Sequence, residues 1–264
     1  MTTTTPLLSD KDFEAPSVFR PENLLREARR QKNLPAGEVP DMCVLDPDGD
    51  VVRKLRADGR AERSEVWACY HTDLYVAAHQ GERFGIIGCA VGASFAVLLA
   101  EQLFASGCKL LLSVTSSGEI ASGGPTPYFV MIDRALRDEG TSHHYLPPAR
   151  FAEADQTLVG DTMAALDGGA LTVRRGATWT TDAPYRETER AIAAARSYGV
   201  LAVEMEAAAL YAFARARGRQ VLCYAHVTNQ MAQAAGDFEK GEANGAHDAL
   251  NLIAETARAW RSRR

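Results

Sequence analysis

"ERFGIIGCAVGASFAVLLAEQLFASGC", residues 82–108, decides the fold. Its apolar run, Phe84–Val91, does not alternate with polar residues. A strand of that kind is buried on both faces. A turn at Gly92 follows, then a helical pattern from about Ser94 to Ser106, which Gly107 stops. Strand, tight turn and helix repeat elsewhere. "KLLLSVTSSGEI", residues 109–120, reads as an apolar strand ending in small polar residues. "LAVEMEAAALYAFARARG", residues 201–218, starts as a strand and continues as a helix, and "RQVLCYAHVTNQ", residues 219–230, is a further strand. "PENLLREARRQ" (21–31) and the segment 246–260 read as helices, as does a stretch around 187–197. "DMCVLDPDGD" (41–50), "PYFVMIDRALRD" (127–138) and "GALTVRRGATWTTDAPYR" (169–186) read as β-rich. The expectation is an α/β fold, a three-layer α/β/α sandwich around a mixed, distorted sheet. Residues 1–17 form a flexible Thr-rich tail, and residues 18–264 a single domain.

Composition narrows the function. The 264 residues are 46% hydrophobic and carry a net charge of −5, with 34 acidic and 29 basic side chains. That balance gives no general attraction to nucleic acid or to an anionic membrane. No apolar run approaches the roughly 18–20 residues a membrane-crossing helix needs. The N-terminus lacks the basic start and apolar segment of a secretory signal. The five cysteines are odd in number, contain no C-x-x-C pair and fall mostly in apolar stretches, as reduced core thiols of a cytoplasmic protein do.

In sheets of this kind ligands bind beyond the carboxyl ends of the strands. Four such ends carry unusual chemistry: Gly92-Ala93-Ser94, Thr115-Ser116-Ser117-Gly118, Glu204-Met205-Glu206 and Thr228-Asn229-Gln230. Together they offer hydroxyls, two carboxylates and a carboxamide, with little positive charge. Carboxylates accept paired hydrogen bonds from vicinal hydroxyls, so the set suits a sugar. Plainer readings stand beside this one. Ser94 has the character of a helix cap. Glu206 fits the first turn of a helix, where the macrodipole favours negative charge. That account leaves Glu204 unexplained. "GCAVGAS" lacks the spacing of a dinucleotide-binding loop. His71, His144 and His226 are not spaced as metal ligands, and His226 reads as a core or pocket-wall residue.

"VEMEAAALYAFA" (203–214) resembles the signature of the nucleoside phosphorylase family, which includes uridine phosphorylase, hexameric purine nucleoside phosphorylase and related nucleosidases. "GIIGCAVGASFAVLLAEQL", "LLLSVTSSGEI", "RDEGTSHHY", "ATWTTDAPYRETER" and "AHVTNQ" resemble further family segments in the same order. The likeness runs from about Val18 to the C-terminus.

The resemblance implies cleavage of a nucleoside's N-glycosidic bond, with phosphate or water attacking the anomeric carbon. Phosphate is then a co-substrate, and no cofactor or metal is implied. Glu206 would bind the ribose 2′- and 3′-hydroxyls, Met205 would pack on the sugar, and Glu204 would be a second contact or a support for Glu206. Ser116, with Ser117 and Gly118, would form the phosphate loop, and Ser94 would line the sugar pocket. Thr188 and Arg190 would lie in the base loop. Asn229 would stand where purine-acting members place a protonating aspartate, which tilts the expected base toward a pyrimidine or a modified base.

The sequence departs from the family at Ser113, where phosphorylases carry an arginine, and at "LDPDGD", which replaces a Gly-Asp-Pro turn. Arg53 would serve as substitute phosphate ligand, and Arg60 or Arg63 as a contribution from a neighbouring subunit. Phe19 and Arg20 occupy the stretch where relatives present a histidine to the adjacent site. A homodimer or hexameric ring of dimers is implied. A nucleoside hydrolase and a non-catalytic nucleoside-binding protein are the alternatives.

Overall fold

A computed structural model describes residues 5–121, 124–229 and 240–263. Residues 1–4 of the expected tail and Gln230 of the last expected strand lie outside these. In chain order the elements are α1 (Pro21–Lys32), β1 (Met42–Asp46), α2 (Asp50–Ala57), β2 (Ala61–Arg63), β3 (Tyr75–His79), β4 (Glu82–Gly88), α3 (Ala93–Ala105), β5 (Leu110–Glu119), β6 (Tyr128–Asp138), β7 (Phe151–Glu153), α4 (Gln156–Leu166), β8 (Val173–Thr181), α5 (Glu189–Ser197), β9 (Val200–Glu204), α6 (Ala207–Arg217), β10 (Gln220–Asn229) and α7 (Ala246–Arg261). The α/β sandwich with a mixed, distorted sheet is borne out.

The distortion has a topological cause. All ten strands belong to one sheet. β5 pairs in parallel with β1 on one side and with β10 on the other. Its last residues then turn to an antiparallel pairing with β9, Gly118 opposite Val203. β10 also pairs with β6, β6 with β8, and β8 with β9. The strands β5, β10, β6, β8 and β9 therefore close a ring, while β1, β4, β3 and β2 extend from it as an open wing. Closing such a ring brings the carboxyl ends of β5, β9 and β10 together at one rim.

Helices α1, α3 and α6 pack on one side, and α2, α4 and α7 on the other. The first eight residues of α6, Ala207–Ala214, are all buried. That explains why this segment shows no amphipathic stripe. Small alanines let the helix approach the sheet, and Tyr211 locks it there. The Tyr211 hydroxyl donates to the Ile132 carbonyl of β6 at 2.6 Å and accepts from the Cys223 amide of β10 at 3.0 Å.

One expected boundary moves. The strand expected to reach Val91 ends at Gly88, because Cys89 adopts φ +61° and its amide turns to the Asp46 carbonyl of β1. Cys89 is exposed, against the expectation of core thiols, while the other four cysteines are buried. No helix among the described residues is long and apolar enough to cross a membrane.

Removing one hydroxyl tests the lock on α6. Tyr211→Phe leaves a buried carbonyl and a buried amide unpartnered, so it lowers unfolding free energy by about 2–3 kcal/mol. Urea denaturation reads that loss, and a loss below about 0.5 kcal/mol contradicts it.

Candidate active site

The rim where β5, β9 and β10 converge holds a cavity of about 640 Å³. Its walls include Thr115, Ser116, Ser117 and Gly118 from β5, Val203–Glu206 from the β9–α6 junction, Asn229 from β10, and Pro47 and Asp48 after β1. Val91, Pro184, Tyr185 and Glu187 complete it. Seven of the expected site residues meet here: Ser116, Ser117, Gly118, Glu204, Met205, Glu206 and Asn229. A hollow of about 720 Å³ beside α1 and β2 gathers none of them.

The two glutamates divide their work. Glu204 is 3% exposed and receives four hydrogen bonds. The amides of Glu206 and Ala207 each donate to its Oε2 at 2.7 Å. The hydroxyls of Thr178 and Thr180 on β8 donate to its Oε1. Thr180 Oγ1 in turn accepts the Ala208 amide at 2.9 Å. Glu204 thus supplies the anion that the N-terminus of α6 lacks, since Glu206 at the cap position makes no capping bond of its own. Burial pushes the Glu204 carboxyl upward, and the threonine and amide donors pull it back toward the ionised form.

Glu206 is 1% exposed and only half satisfied. Its Oε1 accepts the Gly92 amide at 2.7 Å, which ties the β4–α3 turn to the site. Its Oε2 is buried with no hydrogen-bond partner. A buried carboxylate oxygen left open on a cavity wall is costly unless a ligand donates to it. Burial, and then the charge of Glu204, push its pKa to about 8.

Asn229 is buried and its amide donates to Thr228 Oγ1 at 3.1 Å. Ser117 is 4% exposed, and its Oγ is likewise unpartnered. His226, beside Asn229 on β10, is a core residue: it stacks on Phe129 at 4.3 Å, and burial pushes its pKa down to about 4.

Several expected positions lie elsewhere. Ser94 is exposed on the outer face of α3, in a separate hollow of about 660 Å³ shared with Phe19 and Arg20. The contact with Glu206 is made two residues earlier, by the Gly92 amide at the cap of α3. Thr188 is exposed and caps α5, accepting the Ala191 amide. Arg190 is exposed in the first turn of that helix. From this loop it is Pro184, Tyr185 and Glu187 that reach the cavity.

The expected phosphate arginine is also displaced. Arg53 is largely exposed and outside the cavity wall; it pairs with Asp50 at 2.6 Å and donates to the Asp48 carbonyl at 2.7 Å. Arg60 donates to the Ala78 carbonyl, and Arg63 pairs with Asp73. Ser113 lies inside the sheet, opposite Leu45 and Cys223, not on the cavity wall. Among the described residues no cluster of three His, Cys, Asp or Glu side chains is placed to hold a metal.

One residue of the site was not foreseen. The Asp48 carboxylate takes both donors of Ser116, the amide at 2.7 Å and the hydroxyl at 2.8 Å. In the sequence Asp48 is one acid among three in the turn 46–50, 68 positions away, and nothing local marks the pairing.

The model of the phosphorylase superfamily matches residues 22–258. The chain belongs to the phosphorylase superfamily. Its relatives include a purine nucleoside phosphorylase of the DeoD type from Myxococcus xanthus, 29% identical over 70% of this chain and 79% of that one. A guanosine phosphorylase from Halorubrum lacusprofundi is 25% identical over 69% and 75% of the two chains. Among solved structures, a uridine phosphorylase from Vibrio fischeri superposes with a TM-score of 0.69, covering 83% of this chain and 90% of that one at 20% identity. The superfamily membership bears out the resemblance read from the sequence, and the superposition bears out the fold.

Glu206 gives a pH test within this phosphorylase-superfamily fold. A carboxyl raised in the folded state contributes stability that is complete below its unfolded value, near 4.5, and lost as pH rises through about 8. Glu206→Gln cannot titrate. The variant therefore gains on the wild type between pH 5 and pH 8, by about 2 kcal/mol or more. Urea denaturation at the two pH values measures the gain; a difference that is flat with pH contradicts it.

Proposed function

We propose that this protein cleaves the N-glycosidic bond of a nucleoside by phosphorolysis, releasing the base and a (deoxy)ribose 1-phosphate. The observation that carries the reading is the open Oε2 of Glu206, a buried acceptor on the wall of a cavity built at three strand ends. A vicinal diol is the complementary donor. Superfamily membership and relatives described as nucleoside phosphorylases support the class.

The roles follow from position. Glu206 receives the sugar hydroxyls, Met205 packs beside the ring, and Glu204 holds both by holding the start of α6. Ser116 and Ser117, with the Gly118 backbone, face the nucleophile at the end of β5. Asn229 and Tyr185 are placed for the base, the carboxamide offering both a donor and an acceptor. The reaction needs a gripped sugar, an aligned nucleophile and donors toward the departing base. Its transition state carries positive charge on the sugar, and the ionised member of the buried glutamate pair answers that charge. Phosphate is the co-substrate, and no step calls for a cofactor. Ser94, Thr188, Arg190 and Arg53 stand outside the cavity wall in a single chain, and any contact they make with substrate has to come with a rearrangement or a second subunit.

Such a subunit is part of the proposal. Val91 and Leu98 are exposed on α3 and its leading turn, and Phe19 is 72% exposed beside them. This apolar strip runs from the cavity wall to the hollow that holds Ser94. A homodimer, or a ring of dimers, covers it. Sedimentation velocity at micromolar concentration is expected to show the dimer or a multiple of it, and a monomer alone contradicts this.

The central test is a panel of ribo- and deoxyribonucleosides, purine and pyrimidine, assayed with and without phosphate and with both products identified. Sugar 1-phosphate formed only with phosphate is expected. Free ribose formed without phosphate would establish hydrolysis instead. Glu206→Ala lowers kcat/KM by about 10² or more; turnover near that of the wild type ends the assignment.

A further inference from the structure

The Ser116 donors are already in use. At the end of β5 an amide and a hydroxyl converge, the arrangement an oxyanion needs, and the two oxygens of Asp48 fill it at 2.7 and 2.8 Å. A carboxylate and a phosphate present acceptor oxygens of similar spacing and like charge, so the two anions compete for the same pair of donors. We infer that Asp48 determines access of the nucleophile to this site: its side chain occupies the anion cradle at Ser116 and has to leave before phosphate enters. This inference rests on the phosphorolytic reading above and adds the residue that sets its phosphate requirement.

The surrounding turn is built for a side-chain movement, not for refolding. The backbone of residues 46–53 is pinned by several bonds. Asp46, 2% exposed, accepts the amides of Gly49 and Val52 and so fixes the start of α2. Arg53 donates to the Asp48 carbonyl. The Asp48 carboxylate can therefore turn about its own side-chain torsions while its backbone stays in place. Lys240 supplies a partner for the turned state. Its ammonium bonds Asp50 at 2.8 Å and already stands 3.5 Å from Asp48 Oδ1. Exchange of Ser116 for Lys240 keeps the acid paired while the cradle opens.

The arrangement also explains how the site manages with Ser113 and a displaced Arg53. With no guanidinium on the cavity wall among the described residues, the charge-assisted bonds at Ser116 are the strongest anion contacts they offer there. An internal carboxylate that holds them raises the phosphate concentration needed for turnover.

The experiment measures phosphate binding apart from turnover. Asp48→Ala empties the cradle, and Asp48→Asn keeps the shape without the charge. Calorimetric titration of each with inorganic phosphate, with no nucleoside present, is expected to show affinity at least about tenfold above wild type. Ser116→Ala placed on Asp48→Ala is expected to abolish the gain. In parallel, half-saturating phosphate in the cleavage assay falls by a similar factor. Phosphate affinity unchanged in both Asp48 variants overturns the inference. So does loss of all cleavage in Asp48→Asn together with phosphate-independent release of free ribose by the wild type, because Asp48 then serves water. Tighter phosphate binding in the variants with no nucleoside cleaved by any form leaves the cradle assignment standing and removes the phosphorolytic reading instead.

Discussion

Four hydrogen bonds onto the Glu204 carboxylate hold the active-site rim in place. They join three elements that the chain supplies separately: the end of β9, the first turn of α6 and two threonines of β8. The amides at the start of α6 have no intrahelical partner, and burying them without an acceptor is costly. A buried carboxylate without donors is costlier still. Each solves the other's problem. The result is a rigid junction from which the next acid, Glu206, projects into the cavity without having to support the helix itself. Spacing matters here. Two residues on, past the strand's end, the second carboxylate reaches Gly92 with one oxygen and leaves the other for a ligand.

The same junction shows what was readable in advance. Acids at the end of an apolar strand are out of place in a core, and that anomaly is visible in one dimension. It pointed to Glu204, Met205 and Glu206, and to the Ser116–Gly118 loop and Asn229, and all of these line one cavity because the ends of β5, β9 and β10 share one rim. The helices and strands with buried apolar runs were legible for the same reason. Short or exposed elements were not. α2 hides in what reads as a turn, since Asp50 and Val51 follow Gly49 at φ +76° directly into the helix. β2, β3 and α4 carry mixed patterns whose burial depends on distant partners.

The residues that lie off the cavity wall share a physical cause. Ser94, Thr188 and Arg190 were assigned by linear position in loops next to the rim. Yet each step along a helix turns the side chain by about 100°, so the face a helix-starting residue presents is set by packing. Thr188 spends its hydroxyl on the cap of α5, the ordinary role for a threonine there. Arg53 pairs within its own turn for a similar reason, Asp50 lying one helical turn away. Asp48 is the converse case. Its importance lies wholly in a contact across 68 residues, and no local pattern announces it.

These placements give the cavity an unusual electrostatic character. Asp48, Glu187, Glu204 and Glu206 all stand on its wall, and among the described residues no arginine or lysine does. Burial has already pushed Glu206 to about 8, and it raises Glu187 as well. Nearby charges, Glu204 and then Asp48 among them, add to the first of these shifts. The acids that stay ionised favour a sugar that becomes cationic as the bond to the base lengthens. They disfavour the approach of an anionic nucleophile for the same reason. The two demands meet at Ser116. A chain that dispenses with a guanidinium there relies on neutral donors, an amide and a hydroxyl, to bring an anion into a negative cavity. Removing one negative group from the wall as phosphate arrives, with Lys240 ready to receive it, is the economical way to reconcile them. On the proposed reading, the acids that favour the sugar cation are thus the reason its nucleophile is admitted by exchange with Asp48.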